Sequence, residues 1–201
     1  MSAPQVTPRR PADNPFASHR VEALPYRYRG SSLRELEERL RALGGRAAVV
    51  GPKGSGKTTL TGELARRFNG NVVRVAIPGS CPHPWQVVRS QLPRRVGRRH
   101  AVFVDGAEQL SPFGWRRLLQ STGNAARLVV TLHRPGRLPT LAECWTDPTL
   151  LRELVRELAP EHARTLEPHL DELYRRHRGN IRDCFRELYD LFAGRKQIFA
   201  R

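Results

Sequence analysis

The sequence predicts an α/β fold, a parallel β-sheet with helices on both faces, followed by a small helical domain. Three observations carry this. From residue 46 to about 146, short apolar runs alternate with stretches of helical period, the order that parallel βαβ units require. Past residue 146 the strand-like runs stop and three helical stretches follow. A glycine-rich run, GPKGSGKT at 51–58, stands between the first strand and the next helix.

The elements follow in chain order. Residues 1–13 are rich in Pro and Arg without periodicity and are expected to be unstructured. In SSLRELEERLRALGG, Ser32 and Glu35 have capping-box spacing. Leu33, Leu36, Leu40 and Leu43 form one apolar stripe, and Gly44 or Gly45 supplies the stop. RAAVV (46–50) reads as a short buried strand. KTTLTGELARRF is a helix with Leu60, Leu64 and Phe68 on one face, ended by Gly70. NVVRVAI is a second strand, PWQVVRSQL a short helix, HAVFVDG a third strand, GWRRLLQS a helix, ARLVVTLH a fourth strand and PTLAECWT a fifth. DPTLLRELVREL, EHARTLEPHLDELYRRH and NIRDCFRELYDLF are helical in period. The expected division is a tail over 1–13, a core over 14–146 and a helical domain over 147–201.

The bulk numbers fit a globular chain. Of 201 residues 39% are hydrophobic, enough for a packed core. No apolar run approaches the ~20 residues of a membrane helix. The N-terminus lacks the apolar stretch of a secretion signal. Cys81, Cys144 and Cys184 are isolated, which suits a reducing cytoplasm rather than a disulfide frame or zinc site. The net charge is +16, and only Lys53, Lys57 and Lys196 among the 35 Lys and Arg are lysine. Such a field suits an acidic partner or DNA. Arginine spread along the whole chain equally suits a composition bias.

Gly51, Pro52, Lys53, Gly54, Ser55, Gly56, Lys57 and Thr58 match GxxxxGK[ST] throughout, with Thr59 next in the helix. Glycines let backbone N–H groups curl around phosphate oxygens because no Cβ blocks the approach. The helix N-terminus adds its positive end. In this pattern Lys57 reaches the β- and γ-phosphates of ATP, and the Thr58 hydroxyl coordinates Mg2+. Asp105 ends the strand Val102–Phe103–Val104, where an aspartate helps to hold that Mg2+ or caps a turn. The residue after Asp105 is Gly106, where an ATPase would often carry a catalytic glutamate. Glu108 is the nearest carboxylate. It either reaches back to activate water or is a solvated helix-start side chain.

On the Gly51–Thr58 loop, the VFVDGAEQL strand, the later LVVTLHR and the opening NPFASHRVEAL, the chain resembles AAA+ and related P-loop ATPases, including bacterial transposition-helper and secretion-associated types. The resemblance covers residues 14 to about 193. It implies a three-layer P-loop NTPase sheet of order 5-1-4-3-2 with a C-terminal helical lid. It makes Thr131 or His133 the sensor-1 candidate, and Arg182, in Gly-Asn-x-Arg (179–182), the sensor-2 candidate. A trans-acting arginine finger would come from Arg116, Arg117, Arg134 or Arg137. RRVGRR (94–99) is a solvated loop or a phosphate-backbone contact. Tyr26 or Tyr28 faces the base or packs in the core.

The function expected is a slow ATPase working as a nucleotide-dependent switch for a protein or nucleic-acid partner. Two alternatives stand beside it. One is a non-hydrolysing nucleotide-binding module. The other is a P-loop small-molecule kinase, which the helical extension after the sheet argues against. No Asn-Lys-x-Asp is present to read guanine.

Overall fold

The computed structural model describes residues 10–194. They pack as two units. One comprises Tyr26–Pro52 and Gly56–Cys144; the other comprises 10–25, Lys53–Ser55 and 145–194.

The first unit is an α/β layer structure. Five strands, β1 (Arg46–Val50), β2 (Asn71–Ala76), β3 (His100–Asp105), β4 (Arg127–Leu132) and β5 (Thr140–Glu143), form one sheet. Its order is β2-β3-β4-β1-β5, parallel throughout. This is the order that the resemblance implied, read from the opposite edge. β1, β3 and β4 are the inner strands, and nearly all their residues are buried. That is why they read as unbroken Ala, Val, Leu and Phe runs rather than as alternating ones. Their side chains still alternate between faces. Ala48, Val50, Val102, Val104, Leu128 and Val130 join one core cluster, and Ala47, Val49, Ala101, Phe103 and Val129 the other.

Helices cover both faces. α2 (Leu33–Ala42) contributes Leu36 and Leu40, and α3 (Lys57–Arg66) contributes Leu60, Leu64 and Ala65, all to the second cluster. α4 (Pro84–Gln91) contributes Val88, and α5 (Pro112–Ser121) contributes Leu118, to the first. Ser32 and Glu35 form the expected capping box at α2, the Ser32 hydroxyl accepting from the Glu35 N–H and the Glu35 carboxylate from the Ser32 N–H. β2 is the exposed edge, with Val72 half-exposed. At the other edge β5 is only four residues long and its register on β1 shifts between Ala48 and Val49. Because the strands are parallel, the loops after β1, β3 and β4 leave the sheet at the same, carboxyl edge.

The second unit is helical. α6 (Pro148–Leu158), α7 (Ala163–Arg176) and α8 (Ile181–Phe192) share one apolar core. α7 holds Pro168 in its second turn, where it removes a backbone donor; burial of Leu166, Leu170 and Leu173 offsets this. The NPF stretch belongs to the same core. Phe16 stacks on Phe185 at 5.9 Å and meets Phe192 edge-on at 5.4 Å. Asn14, fully buried, donates to the Tyr189 carbonyl at 2.9 Å and accepts the Phe16 N–H at 3.0 Å. α1 (Ser18–Glu22), a five-residue helix, follows.

Two sequence expectations change here. Pro11–Asp13, expected within an unstructured tail, form a 3-10 turn, closed where the Asn14 N–H donates to the Pro11 carbonyl; residues 1–9 of that tail lie outside the described residues. The stretch 14–25, expected in the core that runs to 146, packs with the helices instead, because Phe16 finds its aromatic partners in α8. Among the described residues no helix is long and apolar enough to cross a membrane.

Candidate functional site

The site is built from the loop between β1 and α3 and from the carboxyl ends of β3 and β4. Gly56, the N-cap of α3, takes φ +85° and lies against the Tyr26 ring, which an added Cβ would meet at 3.2 Å. No side chain caps α3, so its N-terminal donors are left to other partners. Gly54 also has positive φ, +74°, and an added Cβ there would meet Asn180 Oδ1 at 2.0 Å. Both positions demand glycine on conformational grounds.

Lys57 is buried, and its ammonium turns back on the loop. Nζ donates to the Gly51 carbonyl at 2.7 Å and to the Pro52 carbonyl at 2.6 Å. Next to it, Thr58 Oγ1 donates to Asp105 Oδ2 at 2.8 Å. The other carboxylate oxygen, Oδ1, accepts from Thr131 Oγ1 at 2.5 Å, and the same Thr131 oxygen accepts the Gly106 N–H at 2.9 Å. Thr131 is buried, so β4 holds both Asp105 and the backbone after it. Four of the residues singled out from sequence are therefore brought together: Lys57 and Thr58 side by side, and Thr58, Asp105 and Thr131 in one bonded chain.

The turn after Asp105 explains the missing adjacent glutamate. Gly106 has φ +80°, and a Cβ there would stand 2.7 Å from the Ile77 carbonyl oxygen. No side chain fits at 106. The chain then makes a 3-10 turn, Ala107–Gln109, that carries Glu108. Glu108 Oε1 lies 3.4 Å from His133 Nε2, while Oε2 is buried with no hydrogen-bond partner among the described residues. Thr131 and His133 thus serve different carboxylates, Thr131 that of Asp105 and His133 that of Glu108.

Two residues that sequence reasoning gave no such role hold this turn. Gln109 donates to the Ile77 carbonyl at 3.0 Å and accepts the Cys81 N–H at 3.3 Å. It also lines a cavity of about 480 Å³ with Cys81, Trp85, Leu110, Ser111 and Gly114. Arg137 donates to the Ala107 carbonyl at 3.2 Å and to the Leu110 carbonyl at 2.8 Å, and its guanidinium lies over the Trp115 ring at 5.2 Å. Of the arginines offered as fingers, Arg137 is thus half-buried and bonded to its own turn. Arg117 stacks on Phe113 at 4.1 Å and near Trp85 at 5.9 Å. Arg116 and Arg134 are exposed.

Tyr26 and Tyr28 pack in the core that α3 shares. The Tyr26 hydroxyl donates to Cys144 Sγ at 3.4 Å, its N–H to Glu63 at 2.7 Å, and the Tyr28 hydroxyl to Glu63. Burial raises the hydroxyls of both tyrosines well above the usual phenol range. Arg182, in the first turn of α8, is exposed; Asn180 caps that helix, accepting the Asp183 N–H. Lys53 is exposed and Ser55 buried. Among the described residues no group of three or more His, Cys, Asp or Glu is placed to hold a metal ion. No protein-family model matches the chain, and no curated protein matches it.

Proposed function

We propose that residues 51–59 bind ATP with Mg2+ and that the chain is an AAA+-like P-loop ATPase with slow turnover, a switch whose state is read by a protein or nucleic-acid partner. The observation that carries this is the contact of Thr58 with Asp105 at 2.8 Å beside a buried lysine whose ammonium donates to two of the loop's own carbonyls. A buried ammonium with two carbonyl partners is ready to exchange them for phosphate oxygens, which bind it more strongly. Thr58 and Asp105 offer a hydroxyl and a carboxylate, a donor set that fits Mg2+, which takes few protein ligands and leaves the rest to phosphate and water. Bound Mg2+ supplies charge neutralisation across the β- and γ-phosphates.

The chain's own residues then divide the work. Gly54 and Gly56 shape the loop, and α3 presents its N-terminus. Thr131 keeps Asp105 in place. Glu108 is the carboxylate that orients the attacking water, and its Oε2, which is buried and has no hydrogen-bond partner among the described residues, is the oxygen that would accept the proton once water enters. Its pairing with His133 and its delivery from a turn, rather than from position 106, support slow turnover. Arg182 is the lid residue for the γ-phosphate in this scheme, the role that the resemblance gives it.

Phosphate release from ATP with Mg2+ tests the reading. Glu108→Gln should lower the rate about 100-fold or more while ATP still binds, because a general base contributes roughly 10²–10⁴. If Glu108→Gln hydrolyses as fast as the parent, Glu108 is not the base; if the parent binds ATP but releases no phosphate, the non-hydrolysing alternative holds.

A further inference from the structure

Six residues, 106–111, separate the end of β3 from α5, and the turn is tied down at several points. Gly106 is held through its N–H by Thr131. Gln109 is held through its side chain by Ile77 and Cys81. The carbonyls on either side of Glu108, those of Ala107 and Leu110, both accept from the single guanidinium of Arg137. Arg137 is half-buried and its Cζ sits over the Trp115 ring at 5.2 Å, so a cation–π contact adds to the two hydrogen bonds. Arg137 and His133 come from the same segment after β4. That segment grips the Glu108 turn twice, by its backbone through Arg137 and by its side chain through His133.

We propose that Arg137 is the positioning residue of Glu108, setting where the carboxylate stands by clamping the carbonyls of Ala107 and Leu110. This rests on Glu108 acting as the base. Lysine could not do the same, because a compact ammonium on a flexible stem has no rigid fork to span two carbonyls. With the clamp removed, the turn keeps its side-chain ties at Gly106 and Gln109 and the contact of Glu108 with the exposed His133, and the backbone that aims Glu108 loses its fixed position. A displacement on the order of 1 Å lowers a rate by roughly 100-fold.

The test uses the full chain with Arg137→Ala and Arg137→Lys, each alone and with Glu108→Gln. Amide hydrogen exchange without nucleotide reads the turn directly, at the Gln109 and Leu110 N–H groups, which bond the Gly106 and Ala107 carbonyls. We expect Arg137→Ala to speed exchange there about tenfold and to lower kcat about 10- to 100-fold. The KM and the ATP affinity should stay within about twofold. In the Glu108→Gln background it should lower kcat no further, since effects acting through one group do not add. Arg137→Lys should fall between Arg137→Ala and the parent, and it decides the matter if Arg137→Ala does not fold. Parent-like exchange in Arg137→Ala, or equal kcat losses in both backgrounds, or affinity falling in step with kcat, would overturn the proposal. So would parent-like exchange and kcat in Arg137→Lys if that variant alone folds. A parent that binds or hydrolyses no ATP sinks the ATPase reading instead, and exchange in the turn still decides whether Arg137 holds it.

Discussion

Gly106 occupies a position where the backbone admits nothing larger. With φ +80° and the Ile77 carbonyl 2.7 Å from any Cβ, Gly106→Ala meets both a left-handed strain of about 1–2 kcal/mol and a backbone clash. Gly106→Glu, which would place a carboxylate next to Asp105, should lose stability rather than gain turnover; a denaturant midpoint at or above the parent's would show that the turn has room. Thr131 is the converse case, a small side chain making two bonds in a buried site. Thr131→Val keeps the shape but leaves the Gly106 N–H and one Asp105 oxygen short of a partner. A loss of about 1–3 kcal/mol in chemical denaturation is expected, and an unchanged midpoint would contradict the network. The thiols give a cheaper check. Burial pushes Cys184 up to about 12 and raises Cys144, whereas Cys81 is half-buried. A thiol reagent at neutral pH should therefore titrate one thiol in the native protein and three after unfolding.

Among the elements, α2 has a pH-dependent start. The Ser32 N–H and hydroxyl hold the Glu35 carboxyl below its ordinary range. Because the folded group is the stronger acid, its contribution is fully present above the unfolded carboxylate pKa, about 4.3. It is lost as pH falls through the lower folded value. Exchange of the first-turn amides of α2 should rise on acidification over that window, and Glu35→Gln should remove the dependence. Much of this architecture was legible in the residues. β1, β3 and β4 were readable because strands buried on both faces must be apolar throughout, and α2 because its cap and its leucine stripe agree. α1 was not, since five residues carry no period. The register shift between Ala48 and Val49 leaves no compositional mark. The candidate site divides the same way. Lys57, Thr58 and Asp105 were found by local spacing, whereas the contact of Glu108 with His133 joins loops 25 residues apart in sequence. Arg137 was visible only as one of four finger candidates, because its bonds run to two backbone carbonyls that a sequence does not display.

For the whole molecule, a net charge of +16 bears on partners rather than on fold. If the arginine-rich surface serves as a phosphate-backbone footprint, the affinity for duplex DNA should fall linearly with salt on logarithmic axes; an affinity that salt does not change would mean the charge serves something else. The helical unit, which holds Arg182, and the sheet unit, which holds Lys57, Asp105 and Glu108, are joined in sequence at Lys53–Ser55 as well as at Trp145. Calorimetric titration of ATP into the parent and into Lys57→Ala, each with and without Mg2+, tests the central claim most directly. We predict that the parent binds ATP more tightly with Mg2+ than without, and that Lys57→Ala loses at least about tenfold in affinity, as the removal of a charge-assisted contact to phosphate implies. Equal affinity of the two proteins, with no response to Mg2+, would contradict it.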